Sequence, residues 1–282
     1  MNLNRREFLT TTLAAAAVPV IPAIALPGDS GPIKLAVATY SLRNFKRPEA
    51  IKMIQELGIK FADVKEFHIP IKDATPEEWK QDAKEFRDAG IKLVACGNVD
   101  MKKPEEQRRA FEYAKTCGFP TIVCAPTEEQ LPAIEKLVKE YNIKIAIHNH
   151  GPEDKFFSTP KMCYDAVKNM DPRMGLCIDI GHTARTGADV VESIQMAGPR
   201  LFEMHFKDLK DPHNPDWKVG RDSQVDVGDG VLPIKEIFQA LIKQKYQGYC
   251  SLEYEINAKD PLAGMKRSFD YMRKVIAEIT KA

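Results

Sequence analysis

The sequence of 282 residues lacks an excess of charge of either sign: 41 lysine and arginine residues face 40 aspartate and glutamate residues. Binding to nucleic acid or to an anionic membrane relies on clustered positive charge. The balance therefore excludes nucleic acid as an expected partner. Hydrophobic residues make up 44% and charged residues 29% of the chain, which is typical of a soluble globular protein.

Paired cysteine motifs are also absent. The chain has six cysteines, a number that would suggest disulfides in an exported protein, but no Cys-x-x-Cys spacing occurs. Four of the cysteines sit inside apolar runs and two sit in helical patterns: Cys96, Cys124, Cys177 and Cys250, then Cys117 and Cys163. We expect buried free thiols that behave as small hydrophobic side chains.

Long apolar runs are confined to the N-terminus. Arg5-Arg6 precedes an alanine-rich stretch from Leu13 to Leu26, which contains two prolines and the small residues Ala23-Ile24-Ala25. This pattern resembles a twin-arginine export signal with a cleavage site. We expect residues 1–25 to be removed and the protein to be periplasmic, without a stable membrane anchor. An uncleaved transmembrane anchor is the alternative, but the stretch is short for a span.

Strand-like and helix-like patterns alternate through residues 26–282, without a low-complexity linker that would divide them. Short apolar runs predict eight strands: Lys34 to Thr39, Phe61 to Val64, Lys92 to Cys96, Thr121 to Cys124, Lys144 to Ile147, Gly175 to Ile178, Leu201 to Phe206 and Tyr249 to Leu252. Helices are expected to begin at Thr75-Pro76, Lys103-Pro104, Ser158-Thr159-Pro160 and near Pro261.

Eight βα units in roughly 250 residues predict an α/β fold, a single-domain (β/α)₈ TIM barrel. A doubly wound open sheet is the alternative. That fold calls for a glycine-rich phosphate loop after the first strand, where this chain has Tyr40-Ser41-Leu42-Arg43. The connection from Asp208 to Val231 is the longest and is interpreted as a lid or binding loop.

Residues suited to metal binding stand at the ends of four consecutive strands: His148, Asp179, His205 and Glu253. The carboxyl ends of barrel strands open on one face, so these side chains can converge there. Two imidazoles and two carboxylates suit one divalent ion, with manganese, cobalt or zinc favoured over magnesium. The alternative is a set of polar residues that merely cap the barrel.

Five motifs resemble the landmarks of xylose-isomerase-like TIM barrels, a group that includes ketose 3-epimerases, inosose dehydratase and endonuclease IV. They are Ile145-Ala146-Ile147-His148-Asn149-His150-Gly151, Asp179-Ile180-Gly181-His182, His205-Phe206-Lys207-Asp208, Val227-Gly228-Asp229-Gly230 and Leu252-Glu253-Tyr254-Glu255. The resemblance implies a sugar-converting enzyme with a metal held by Asp179, His205 and Glu253, and with His182 near the substrate.

One position departs from that family. The fifth strand of its epimerases and isomerases usually carries a glutamate that binds metal and moves a proton, whereas this chain has His148. A ligating imidazole has no free lone pair for proton abstraction. The proton-moving role then falls to Glu253, His150, His182, Lys65 or His68, and two-base epimerisation is placed in doubt.

Four further residues are candidates for substrate binding: Glu66 and Lys207, which follow predicted strands, and Trp217 and Arg221, which lie in the long connection after the seventh strand. Lys207 and Asp208 could instead orient His205. The segment Lys65-Glu66-Phe67-His68 could equally be a solvated loop.

Three functions remain open at this stage. The first is a metal-dependent sugar isomerase or epimerase that removes a proton α to a carbonyl through a stabilised enediolate. The second is a 3-keto-glycoside lyase or dehydratase that works by β-elimination, and the third is a non-catalytic periplasmic sugar-binding protein. An endonuclease IV-like enzyme would need a basic surface. The partner in each of the three is a small carbohydrate, and an oligomer is compatible with the sequence.

Overall fold

A closed barrel of eight parallel strands forms the centre of the computed structural model, which describes residues 31–281. The barrel strands are β1 (Leu35–Ala38), β2 (Phe61–Val64), β3 (Lys92–Val99), β4 (Thr121–Cys124), β5 (Lys144–His148), β6 (Met174–Asp179), β7 (Leu201–Phe206) and β10 (Tyr249–Leu252). Around the ring they run β1-β10-β7-β6-β5-β4-β3-β2. This confirms the predicted TIM barrel and its eight strands.

Ten helices occur in the described part of the chain. They are α1 (Arg47–Glu56), α2 (Pro76–Asp88), α3 (Pro104–Cys117), α4 (Leu131–Tyr141), α5 (Pro160–Val167), α6 (Ile180–Arg185), α7 (Val190–Ala197), α8 (Trp217–Arg221), α9 (Ile234–Lys243) and α10 (Leu262–Lys281). Short 3₁₀ helices cover Thr39–Leu42, Glu128–Gln130 and Gly198–Arg200.

Capping side chains set two of the four predicted helix starts, at Thr75 and Thr159. The Thr75 hydroxyl accepts a hydrogen bond from Glu78 N at 3.2 Å, and Thr75 N donates to the Glu78 carboxylate at 2.7 Å. This reciprocal pair satisfies two donors that the first turn leaves free. Gly118 ends α3 in the left-handed conformation, with φ of 80°, where a side chain would be strained.

Apolar side chains fill the space between the barrel and its helices. Trp79 and Phe86 of α2 are buried there, and Trp79 donates its indole N–H to the Pro70 carbonyl at 2.7 Å. All six cysteines are buried and unpaired, as predicted from their apolar surroundings.

The long connection after β7 has structure of its own. Strands β8 (Asp208–Leu209) and β9 (Gln224–Val225) pair as an antiparallel ribbon, and α8 lies between them. Asp208 accepts hydrogen bonds from the backbone N–H groups of Leu209, Gly228, Gly230 and Leu232, at 2.9 to 3.1 Å. Asp208 therefore folds this connection and does not orient His205.

The predicted export signal, residues 1–25, lies outside the described residues and stays a prediction. Within residues 31–281, no helix combines the length and apolar character that a membrane crossing requires.

Candidate metal centre at the barrel mouth

Four side chains converge where β5, β6, β7 and β10 end. One ligand atom from each of His148, Asp179, His205 and Glu253 lies within 4.8 Å of the others, and all four residues are buried. His148 Nε2 is 2.9 Å from His205 Nδ1 and 3.7 Å from Asp179 Oδ2, and His205 Nδ1 is 3.4 Å from Glu253 Oε2. The strand-end pattern therefore brings together the four residues proposed as ligands.

These residues fit a divalent cation in chemistry and in charge. Nitrogen and oxygen donors of this kind suit zinc, manganese or cobalt. Asp179 Oδ2 is buried and accepts no well-aligned hydrogen bond from the described residues. Ion pairs around the cluster join four carboxylates to two ammonium groups, so the carboxylates outnumber the ammonium groups by two. The carboxylates are those of Asp63, Asp179, Glu253 and Glu255, and the ammonium groups are those of Lys65 and Lys207. A divalent ion would balance that excess.

Asp63 of β2 orients His205. The two are joined at 3.0 Å between His205 Nε2 and Asp63 Oδ2. A carboxylate only accepts, so His205 carries a proton on Nε2, and Nδ1 is the nitrogen that faces the cluster. Such a carboxylate–histidine pair fixes the ring and makes it a better ligand.

His148 has no comparable support. Its Nδ1 is buried without a hydrogen-bond partner among the described residues. Burial holds the pKa of His148 well below its usual range. The imidazole is therefore neutral and able to ligate, but its ring is less firmly held than that of His205.

The Asp-x-Gly-His motif forms the corner between β6 and α6. Asp179 caps α6, and its Oδ1 accepts from His182 N at 2.7 Å, which leaves Oδ2 for the cluster. A Cβ on Gly181 would lie 2.5 Å from Lys207 Cγ. Glycine is required there because the Lys207 side chain passes directly over the backbone.

Arg185 sets the protonation of His182. Its Nη1 lies 2.7 Å from His182 Nδ1, and its Nη2 pairs with Glu153. A guanidinium can only donate, so Nδ1 accepts and a neutral His182 carries its proton on Nε2. Burial lowers the pKa of His182 to about 3, which keeps the ring neutral. His182 lines the mouth cavity as a hydrogen-bond donor.

His150 carries its proton on the other ring nitrogen than His182 does. Its Nδ1 lies 3.2 Å from Asp154 Oδ2, and the Asn98 amide nitrogen lies 2.8 Å from its Nε2. Because the carboxylate accepts, the proton is on Nδ1 and Nε2 offers a lone pair. The hydrogen bond from His150 lowers the pKa of Asp154 well below its usual range. The centroids of the His150 and His182 rings are 6.0 Å apart.

Two buried lysines complete the site. Lys207 Nζ lies 3.1 Å from Asp179 Oδ2 and 2.9 Å from Glu253 Oε2, and it also pairs with Glu255. Burial alone would lower the pKa of Lys207, but these carboxylates raise it well above the usual range. Lys65 Nζ lies 3.4 Å from both Asp63 Oδ2 and Glu253 Oε1. Both amines are therefore charged.

A cavity of about 320 Å³ opens above the cluster, and we call it the mouth cavity. Its walls include the predicted residues Lys65, Glu66, His150, His182 and Lys207, together with the proposed ligands His148 and Glu253. Arg221 lines a neighbouring cavity, and Trp217 is the first residue of α8.

His68 is not brought to the site. It is buried next to the backbone of Leu42 and Phe45 and does not line the mouth cavity. Burial lowers its pKa to about 4. Its place after β2 suggested an exposed strand-end residue, but the chain turns at Lys65, whose carbonyl accepts from His68 N at 3.0 Å, and carries the ring into the core.

Sequence reasoning missed Asp63, Asn98, Asp154 and Arg185. Asp63 gave a signal, since it is an acid inside the apolar run Phe61–Val64. Asn98 was missed because β3 runs to Val99, beyond the predicted end at Cys96. Asp154 and Arg185 lie in a loop and on a helix, and their roles depend on contacts that no sequence pattern reveals.

A larger cavity, of about 1040 Å³, lies at the opposite, N-terminal end of the barrel. Leu93, Leu201, Phe202 and Tyr249 line it, and the four proposed ligands do not. In TIM barrels the chemistry is at the carboxyl ends of the strands, so we assign the smaller mouth cavity as the candidate site.

The sequence model described as Xylose isomerase-like TIM barrel matches residues 51–275 of this chain. The inosose dehydratase of Mesomycoplasma hyopneumoniae is 26% identical over 155 residues, which are 50% of this chain and 51% of that protein. The chain thus spans about half the length of that curated relative.

Two solved structures share the architecture. The probable 3-DHS dehydratase AsbF of Bacillus anthracis is 16% identical with a TM-score of 0.70, covering 86% of this chain and 99% of that one. The IolI protein with a bound zinc atom is 18% identical with a TM-score of 0.74, covering 87% and 99%. At these identities the likeness concerns the fold alone.

Proposed function

Because this chain belongs to the Xylose isomerase-like TIM barrel family, we propose that it is a metal-dependent lyase that eliminates a leaving group β to a sugar carbonyl. The single observation that carries the proposal is the opposite tautomers of His150 and His182, which Asp154 and Arg185 impose. An elimination needs one base and one hydrogen-bond donor, and two imidazoles that carry their protons on different nitrogens supply that pair.

The metal would be held by His148, Asp179, His205 and Glu253. When bound, a divalent ion supplies Lewis acidity toward the carbonyl oxygen, which acidifies the neighbouring C–H. The zinc atom of IolI supports zinc among the candidates, beside manganese and cobalt. All four side chains are then occupied as ligands, so none of them has to serve as the base.

His150 is the base in this proposal. Its Nε2 lone pair faces the mouth cavity once the Asn98 amide gives way to substrate, and Asp154 stabilises the imidazolium that forms. His150 takes the proton from the carbon next to the carbonyl.

His182 and Lys207 act on the leaving group. His182 and Lys207 both line the mouth cavity, on walls that also bound a second cavity. As the C–O bond breaks and a C=C bond forms, the departing oxygen takes a proton from a water molecule in the mouth cavity, while His182 and Lys207 donate hydrogen bonds to it. His150 then gives its proton to solvent and neutralises the hydroxide that was formed, so atoms and charge balance.

Elimination is preferred here over the isomerase or epimerase that the resemblance placed first. Two-base epimerisation requires a base on each side of the carbon, and the glutamate that would supply one is His148 here. The dehydratase relative supports the same class of reaction. Activity on a 3-keto-glycoside, a periplasmic location and any oligomer formation remain parts of the proposal.

The test begins with elemental analysis of the purified protein and an Asp179→Ala, Glu253→Ala double variant. We expect about one equivalent of transition metal in the parent and little in the variant. The metal-loaded parent is then incubated with methyl 3-keto-glucoside, and enone absorbance and methanol release are followed. His150→Gln should lower kcat by ~10² to 10⁴, the usual contribution of a general base.

Three other outcomes would contradict the proposal in different ways. Exchange of the α-proton with deuterium without methanol release would restore the isomerase or epimerase. Binding of sugar without exchange or release would favour the non-catalytic binder. Absence of metal after incubation with Mn²⁺, Co²⁺ and Zn²⁺ would remove the basis for the mechanism.

A further inference from the structure

A second cavity of about 240 Å³ adjoins the mouth cavity. The two share His182, Lys207 and Glu255. His182 and Lys207 are the donors assigned to the leaving oxygen, so a leaving group that departs toward them enters this cavity. His150 borders a different cavity, shared with Asn98 and Asp154.

The size of the cavity separates two kinds of leaving group. A water molecule occupies about 30 Å³ of liquid volume. A cavity of about 240 Å³ is several times larger than a departing hydroxyl group needs. The space therefore fits a substantial group bonded through oxygen.

The lining favours a group rich in hydroxyls. Arg221 and Asp222 border the cavity as an exposed pair, with Arg221 Nε 2.7 Å from Asp222 Oδ1. Glu255 contributes a further half-exposed carboxylate. These groups both donate and accept, which matches hydroxyls, while Leu209 and Ile256 add two apolar surfaces.

The long connection after β7 builds one wall and is tied to the strand end that carries Glu253. Gln224 of β9 is buried and donates to the Glu253 carbonyl at 2.8 Å, and its Oε1 accepts from Glu255 N at 2.9 Å. Hydrogen bonds from Gln224 thus connect this wall of the cavity to the backbone of the strand end that carries Glu253.

We propose that this cavity is a leaving-group subsite for a sugar or polyol, so that the substrate is a keto-glycoside with a hydroxyl-rich aglycone. The inference rests on the proposed elimination and adds the identity of the group that leaves. It distinguishes this enzyme from a dehydratase, whose leaving group is water.

Ile256→Trp tests the subsite by filling it. The assay compares methyl 3-keto-glucoside with 3-keto-cellobiose, which share the reacting ring and differ in the leaving group. Overpacking should lower kcat/KM for 3-keto-cellobiose by about 10-fold or more, while the methyl glycoside stays within about 2-fold of the parent. Ala125→Trp, in the cavity next to His150, is the matched control and should not discriminate by leaving group.

Asp222→Ala provides a second variant that leaves the core untouched, since Asp222 is exposed. Loss of a hydrogen-bonding partner should lower kcat/KM for 3-keto-cellobiose by about 3- to 10-fold and spare the methyl glycoside. Asp100→Ala, an exposed acid in the cavity next to His150, is its control.

The results separate the subsite from the chemistry. Equal losses on both substrates in the subsite variants, or a parent that cleaves only the methyl glycoside, would overturn the subsite and leave the elimination intact. A parent that releases neither methanol nor glucose overturns the elimination, and the subsite with it.

Discussion

Two buried glutamates, one deeper in the barrel and one at its mouth, are in opposite states. Glu203 lies on β7, and its carboxyl group accepts a hydrogen bond from the Ser251 hydroxyl. Burial, with the charge of Asp63, raises the pKa of Glu203 well above its usual range. Burial would do the same to Glu253, but Lys207, His205 and Lys65 hold its pKa well below that range.

The difference shows that neighbouring charge, not burial, decides which carboxyl group can bind a cation. Burial favours the protonated form of Glu203, which lies in the barrel interior. Glu253 is an anion placed beside two imidazoles and two amines. The same contrast applies to the cavities, since the larger one at the N-terminal end lacks the proposed ligands and the smaller one at the mouth has them.

The largest expected effect comes from exchanging each glutamate for its amide. Glu253→Gln should weaken metal binding by more than ~100-fold and abolish turnover, because it removes a ligand whose second-shell partners alone are worth 10- to 100-fold. Glu203→Gln should retain metal and activity. Metal titration followed by the elimination assay measures both, and equal metal loss in the two variants would refute the contrast.

Next in size is Asp63→Asn, which removes the acceptor that holds His205. Metal affinity should fall by about 10- to 100-fold, since a neutral amide orients the imidazole less strongly. The fold should survive, and circular dichroism provides that check. An unchanged affinity would mean that Asp63 serves the barrel interior and not the metal.

A smaller effect is expected for His148→Gln than for His205→Gln. His148 has no partner on Nδ1 among the described residues, whereas His205 is held at 3.0 Å by Asp63. The dissociation constants of the two variants for Zn²⁺ and Co²⁺ would establish the order. A greater loss in His148→Gln would show that the weakly supported ring is the stronger ligand.

The smallest effect concerns stability and its pH dependence. Folding raises the pKa of Glu203. The contribution of protonated Glu203 to the free energy of unfolding is therefore fully present below the ordinary pKa of 4.5, and it is lost as the pH rises through the pKa of the folded protein. The amide that replaces this carboxyl group in Glu203→Gln cannot ionise. The Tm of Glu203→Gln relative to the parent should therefore increase from pH 4.5 upward, and a constant difference from pH 4 to 8 would show that Glu203 is already charged in the fold.

Periodicity was sufficient for the fold because each strand is a short apolar run, and several of the helices between the strands begin at a proline or a capping residue. The eight predicted strands occur; four of the predicted carboxyl ends agree with the structure, three differ by one residue, as at His148 and Asp179, and β3 runs three residues further. The four proposed ligands were found because parallel strands bring their carboxyl ends to one face. His68 was misplaced because a turn after β2 sends its ring inward.

The sequence by itself determined the barrel, the residue types at its mouth and the Asp-x-Gly-His corner, since these follow from local alternation and from which strand each residue ends. Only the tertiary structure decided where the protons are. Asp63, Asp154 and Arg185 reach His205, His150 and His182 across sequence separations of 142, 4 and 3 residues. Whether each imidazole donates or accepts depends on these contacts, because a carboxylate can only accept and a guanidinium can only donate.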